Sequence, residues 1–239
     1  MSKNLIDIDF ESNIHEEVKI PNTINIGNQR EKKILDDFLK NINILEEKLE
    51  IFETIKLLNA DIADFILRGI IALTFSSLDR FLREILKYNL IQILKGEKSP
   101  TTKFKDIKLN LSLGILLESI NKDLEEWTGL IIDEINSKNH KSILNPTKSL
   151  SSSYAIKNTL NLISKDKIFE EITKEMGYTI TTIDNKMKEF YNRRNSIVHQ
   201  MDYNEKLKTE TPISKEKAKE VVDFYKTFIE KIYIKIINS

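Results

Sequence analysis

The feature that most constrains this chain is its shortage of helix breakers: 239 residues include only 6 Gly and 4 Pro. Inside a helix Gly costs about 1 kcal/mol and Pro about 3 kcal/mol relative to Ala. A chain that nearly lacks both can sustain long helices. Its apolar residues follow the helical period. Ile34, Phe38, Leu39, Ile42, Leu45, Leu49 and Phe52 recur at three- and four-residue steps, with Glu46, Glu47, Lys48 and Glu50 on the opposite face. This predicts a helix over 30–58 that ends or bends near Asn59-Ala60-Asp61, where Asp61 is placed to cap the next.

A second helix is expected over 61–95, through Phe65, Ile66, Ile70, Leu73, Leu78, Phe81, Leu82, Ile85 and Leu86, stopped by Gly96 and Pro100. It is apolar on more than half its circumference, which marks it as the central helix. Further helices are expected over 112–136, 155–163, 167–176 (ended by Gly177), 181–200 (capped by Thr181 or Thr182) and 214–237 (opened by Ser214). Residues 137–153 and 202–213 read as loops. Pro21 interrupts the apolar alternation of Ile20, Ile24 and Ile26, so residues 1–28 form an irregular lead. The expected fold class is all-α: one helical-bundle domain over 29–239 behind that lead.

Composition narrows the chemistry. There is no cysteine, which excludes disulfides, thiolate metal sites and cysteine nucleophiles. No signal-peptide pattern opens the chain, and no stretch approaches ~18 apolar residues, so a cytoplasmic protein without a membrane span is expected. The formal net charge is zero, which argues against broad non-specific nucleic-acid binding. The charge is unevenly placed, however. Residues 1–60 hold 8 Lys/Arg against 12 Asp/Glu, whereas residues 180–239 hold 12 against 9.

Reactive groups are few. His15 lies in the lead and His140 in a loop-like stretch, and neither has metal-ligand spacing to another histidine or carboxylate pair. Neighbouring carboxylates such as Asp36-Asp37 point ~100° apart on a helix and read as solvated faces. No phosphate loop and no nucleophile elbow occurs, so no metal and no cofactor is expected. His199 stands apart. It follows Arg194 by five residues on a predicted helix, with Arg193 beside it. Arg194 precedes Ile197 and Val198 by three and four residues and so leans toward the core. A cation there needs a carboxylate such as Asp79 or a ligand phosphate. From spacing alone both remain open.

The run Arg194-Asn195-Ser196-Ile197-Val198-His199 resembles the Arg-x4-His motif of HEPN ribonucleases. The segment from Ala72 to Ile85, where small residues lead into Asp79 and Phe81, is similar to an early helix of that superfamily, and one amphipathic helix follows the motif. The pattern resembles the RiboL-PSP-HEPN group most, over residues 55–237. Some HEPN toxins carry tyrosine two residues after the histidine. Here Met201 holds that position and the nearest tyrosine is Tyr203, a departure from that subgroup's pattern.

The resemblance implies a homodimeric, metal-independent endoribonuclease with the motif at a shared groove. Arg194 would bind the scissile phosphate and His199 would act as acid or base. Asn195, Arg193, Asp79 and Tyr203 would support the site or contact RNA. It further implies a setting in phage defence or a toxin–antitoxin system, with an antitoxin or defence component as partner. The chemistry agrees. RNA carries its own nucleophile in the 2′-hydroxyl, so cleavage needs an acid, a base and a cation rather than a metal. One chain offers one suitable histidine, and a two-fold dimer would bring two. The alternative is a HEPN module that binds RNA or protein without cutting.

Overall fold

The computed structural model describes residues 29–105, Thr128, 150–164, 167–206 and 208–238. Of these, 80% are helical, against ~30–35% in an average domain. The helices are α1 (Gln29–Glu50), α2 (Phe52–Leu58), α3 (Ala60–Leu94), α4 (Thr102–Lys105), α5 (Ser153–Ile163), α6 (Ile168–Glu175), α7 (Ile180–Gln200) and α8 (Lys215–Ile237). A two-stranded ribbon, β1 (Tyr203–Asn204) with β2 (Thr209–Glu210), joins α7 to α8. The expected lead over 1–28, the expected helix over 112–136 and most of the loop over 137–153 lie outside the described residues. Thr128 alone is described within that helix, helical and buried.

The all-α expectation is met, and α3 is the central element. Its 35 residues extend about 50 Å at 1.5 Å per residue, and it packs against α1, α2, α5, α7 and α8. Leu67, Ile71, Leu78, Leu82, Ile85 and Leu90 on α3 are fully buried. They join one hydrophobic cluster with Phe38 and Ile42 of α1, Phe190 of α7, and Val221, Tyr225, Phe228 and Ile232 of α8. Aromatic edges lock the helices where α3, α7 and α8 meet. Phe75 lies 5.0 Å from Tyr225 and 6.4 Å from Tyr191, and Phe190 lies 5.5 Å from Phe224, centroid to centroid.

Boundaries differ from expectation in three places. The single helix expected over 30–58 breaks at Ile51, whose amide reaches Glu47 O only at 3.4 Å. Beyond Phe52, Ile55 still packs against the core, but Leu57 and Leu58 stand 89% and 83% exposed. The cap of α3 is Asn59, whose Oδ1 accepts from Ile62 N at 3.0 Å. Asp61 instead lies in the first turn, where its charge favours the helix N-terminus. The cap of α7 is Thr179, through its Oγ1 to Thr182 N, rather than Thr181 or Thr182. The stops at Gly96 and Gly177 are as expected, both with left-handed backbone (φ +75 and +76). Ser214 caps α8 through its Oγ to Lys217 N.

Candidate nucleic-acid interface

Helix α7 positions the motif. Ile183, Met187 and Phe190 are fully buried and fix its face against the core, and Ile197 continues that face to the last turn. Val198, expected to be buried, is 47% exposed, while Ile197 beside it is buried. Arg194 is half-buried and His199 is exposed. Five residues turn a helix by ~140° net, so one protomer presents the two side chains in different sectors.

The polar contacts separate the arginines sharply. Arg194 Nη1 donates to Asn195 Oδ1 at 3.0 Å, and its Nε is buried without a hydrogen-bond partner among the described residues. No carboxylate among the described residues pairs with it. The ion pair with Asp79 that spacing left open is not formed. Asp79 Oδ2 instead holds Arg83 Nε at 2.6 Å, one turn along α3, and Asp79 Oδ1 accepts from Leu150 N. Asp79 thus anchors the chain entering α5.

Arg193, expected to be available to an RNA backbone, is committed internally. Its Nη2 lies 2.6 Å from Asp202 Oδ2 and 3.1 Å from the carbonyls of Thr211 and Pro212. Burial pulls its guanidinium below the ordinary arginine value, Asp202 opposes that shift, and nearby Arg68 adds to it. Arg68 of α3 meets the same carboxylate oxygen with Nε at 3.0 Å, and its Nη2 reaches Glu210 Oε2 at 2.9 Å and Thr211 O at 3.1 Å. Asp202 is fully buried. Sequence reading passed over this cluster because Asp202 fell in a stretch read as polar loop. The available signal was Arg68 itself, a lone charge inside the apolar run Ile66-Leu67-Arg68-Gly69-Ile70-Ile71.

Tyr203 sits on β1, 45% exposed, and lines a cavity of about 790 Å³ with Phe65, Ile197 and Met201 on its apolar side and Asp61, Asp64, Arg68 and Glu210 on its charged side. Phe65 and Met201 are 64% and 67% exposed, and Ile62 and Val198 are also substantially exposed. At the end of α7, Phe65, Met201 and Tyr203 thus stand without cover among the described residues, interleaved with the carboxylates of Asp61, Asp64 and Glu210. Among those residues no group of three or more His, Asp or Glu is placed to hold a metal ion. No helix among them is long and apolar enough to cross a membrane. His15 and His140 lie outside them.

Comparison with known proteins gives one family. The model described as RiboL-PSP-HEPN matches residues 36–238, which takes in every helix from α2 to α8 and most of α1. No curated protein and no solved structure matches.

Proposed function

From the premise that this chain belongs to the RiboL-PSP-HEPN family, we propose that it is a metal-independent endoribonuclease, with a composite site formed where two copies bring their α7 helices together. HEPN domains as a class are ribonucleases or RNA-binding modules. The observation that carries the catalytic reading is the contrast among three arginines at one end of the fold. Arg68 and Arg193 are neutralised by Asp202 and Glu210. Arg194, the motif residue, has only a neutral amide for a partner among the described residues. A half-buried guanidinium with donors to spare is suited to a phosphate, which it can hold through two parallel hydrogen bonds.

In this reading Arg194 holds the scissile phosphate and stabilises the charge that develops on it. Asn195 orients the guanidinium through its Oδ1. His199 of one copy removes the proton from the 2′-hydroxyl, and His199 of the other protonates the departing 5′-oxygen. The P–O5′ bond breaks as the O2′–P bond forms, leaving a 2′,3′-cyclic phosphate and a 5′-hydroxyl. Two observations support pairing of two copies. Among the described residues one protomer carries a single histidine at the site, and Phe65, Val198, Met201 and Tyr203 supply exposed apolar surface beside it. A phage-defence or toxin–antitoxin role, with a regulating partner, is the setting that family membership suggests.

The test is cleavage of RNA by wild type and His199→Ala, each with and without EDTA, followed by mapping of the product ends. Wild type should yield cyclic-phosphate ends whether or not EDTA is present, and His199→Ala should not cleave. Binding of RNA by wild type without cleavage would instead identify the groove as a binding module.

A further inference from the structure

Directly after the motif the backbone takes two consecutive left-handed residues, Met201 at φ +51 and Asp202 at φ +61. Neither is glycine. The left-handed region brings Cβ against the following carbonyl, and Met has no local hydrogen bond to compensate. Such a turn persists only where its surroundings over-determine it. Here they do. The amides of Met201 and Asp202 both donate to Ser196 O. Asp202 O accepts from Thr211 N at 2.8 Å. The buried Asp202 carboxylate receives Arg68 Nε and Arg193 Nη2, and both guanidinium groups also donate to Thr211 O.

The placement of these residues relative to the motif is what gives the cluster meaning. Arg193 immediately precedes Arg194, and Asp202 follows His199 by three residues. The Arg193–Asp202 pair therefore closes a loop around the whole motif, and Arg68 fastens that loop to the central helix. His199 lies in the last turn of α7, where a helix otherwise frays because its final carbonyls have no intrahelical partner. We infer that Asp202, with Arg68 and Arg193, forms a positioning clamp that holds His199 and Arg194 in register. The inference rests on the reading of that pair as the ribonucleolytic site. The three clamp residues act through the motif and need not touch RNA.

Arg68→Met is the sharpest test, since it keeps the unbranched apolar stem and removes the guanidinium, leaves the Arg193–Asp202 pair in place, and lies far from the motif in sequence. Displacing a reacting group by about 1 Å costs about 10²-fold in rate. The folded variant should therefore lose kcat on that scale with KM little changed, and Arg68→Lys should recover part of the loss. In proton–carbon spectra the His199 ring signal, assigned by its absence in His199→Ala, should broaden or double in Arg68→Met. If Arg68→Met does not fold, Asp202→Asn serves in its place. Asparagine tolerates left-handed backbone and keeps one acceptor oxygen for the two guanidinium groups, which both meet Oδ2, while the charge is lost and the other oxygen becomes an NH2 donor. Wild-type kcat and an unchanged His199 signal, with only the melting temperature lowered, would overturn the clamp. If the wild type itself cleaves no RNA, the ribonuclease reading fails, and the His199 signal still decides whether the clamp orders the turn.

Discussion

Arg194 Nη1 lies 3.0 Å from Asn195 Oδ1, and that amide is its one polar partner among the described residues. An amide can hold a guanidinium without cancelling its charge, which leaves the charge for a phosphate. Arg194→Lys should therefore fail although the charge is kept. Lysine is a point charge on a flexible stem and cannot reproduce the planar fork. Loss of one such donor set at the transition state should lower kcat by about 10²–10³-fold, by analogy with removal of an oxyanion donor. Single-turnover cleavage by the variant at saturating protein reads this directly. A rate within a few fold of wild type would remove Arg194 from the transition state.

The Arg194–Asn195 contact also orders two substitutions at Asn195. Asn195→Ala releases the guanidinium, at the cost of one hydrogen bond to a charged group. Asn195→Asp replaces the neutral partner with a carboxylate that competes with the phosphate. Hydrogen bonds to charged groups contribute about 1.5–3 kcal/mol, or roughly tenfold or more in affinity. RNA binding measured on the non-cleaving His199→Ala background should thus weaken more for Asn195→Asp than for Asn195→Ala. The reverse order would mean that Arg194 does not face the RNA backbone.

The helices were legible in the sequence because burial follows the apolar period: the face Ile183, Met187, Phe190, Ile197 is the one that α7 buries. The motif was legible because it is local. What could not be read was how the charges near it are shared. Arg193 and Arg194 are adjacent and chemically identical, yet among the described residues one has a carboxylate partner and the other has none. The difference is made by Asp202, held by a left-handed turn, and by Arg68, more than a hundred residues away in the chain. Spacing along α7 records neither. The same holds for Asp79, which is consumed by its i+4 neighbour Arg83 rather than by Arg194.

Exposed apolar side chains beside the motif lead to a prediction about assembly. Light scattering at micromolar concentration should give a mass near twice the 27.9 kDa of one chain. Met201→Asp is a suitable disruptor. Met201 is 67% exposed and sits at positive φ, where aspartate is tolerated better than methionine, so the turn itself is not harmed. A charge placed in the centre of an interface should cost about 2 kcal/mol or more, roughly 30-fold in the dimer dissociation constant. Cleavage should fall as the dimer dissociates. A cleaving species with the mass of one chain would refute the composite site.

The final prediction concerns pH and lies away from the motif. Glu31 at the start of α1 is buried at 6% exposure, with Oε1 3.3 Å from Asn89 Nδ2, while Asn89 Oδ1 takes Lys98 Nζ at 2.7 Å. Burial is the largest influence on Glu31 and raises it above the ordinary 4.5, although Lys98 and Asn89 oppose the shift. Lys98 is pulled below 10.5 by burial, with Glu31 opposing, so its effect enters from the alkaline side. A carboxyl raised in the folded state binds its proton more tightly there than in the unfolded chain. Its contribution to stability is complete below the unfolded value and is lost as pH rises through the folded one. Glu31→Gln keeps an oxygen for Asn89 and removes the titration. The melting temperature of wild type minus that of Glu31→Gln should therefore decline as pH rises from about 4.5 toward neutrality. Carboxylates held low by lysines, such as Glu175 and Glu220, pull the opposite way in both proteins and cancel in the difference. A flat difference across that interval would show that Glu31 titrates in the fold as it does in the unfolded chain, and a rising one that the fold holds its carboxyl below the unfolded value; either outcome refutes the prediction.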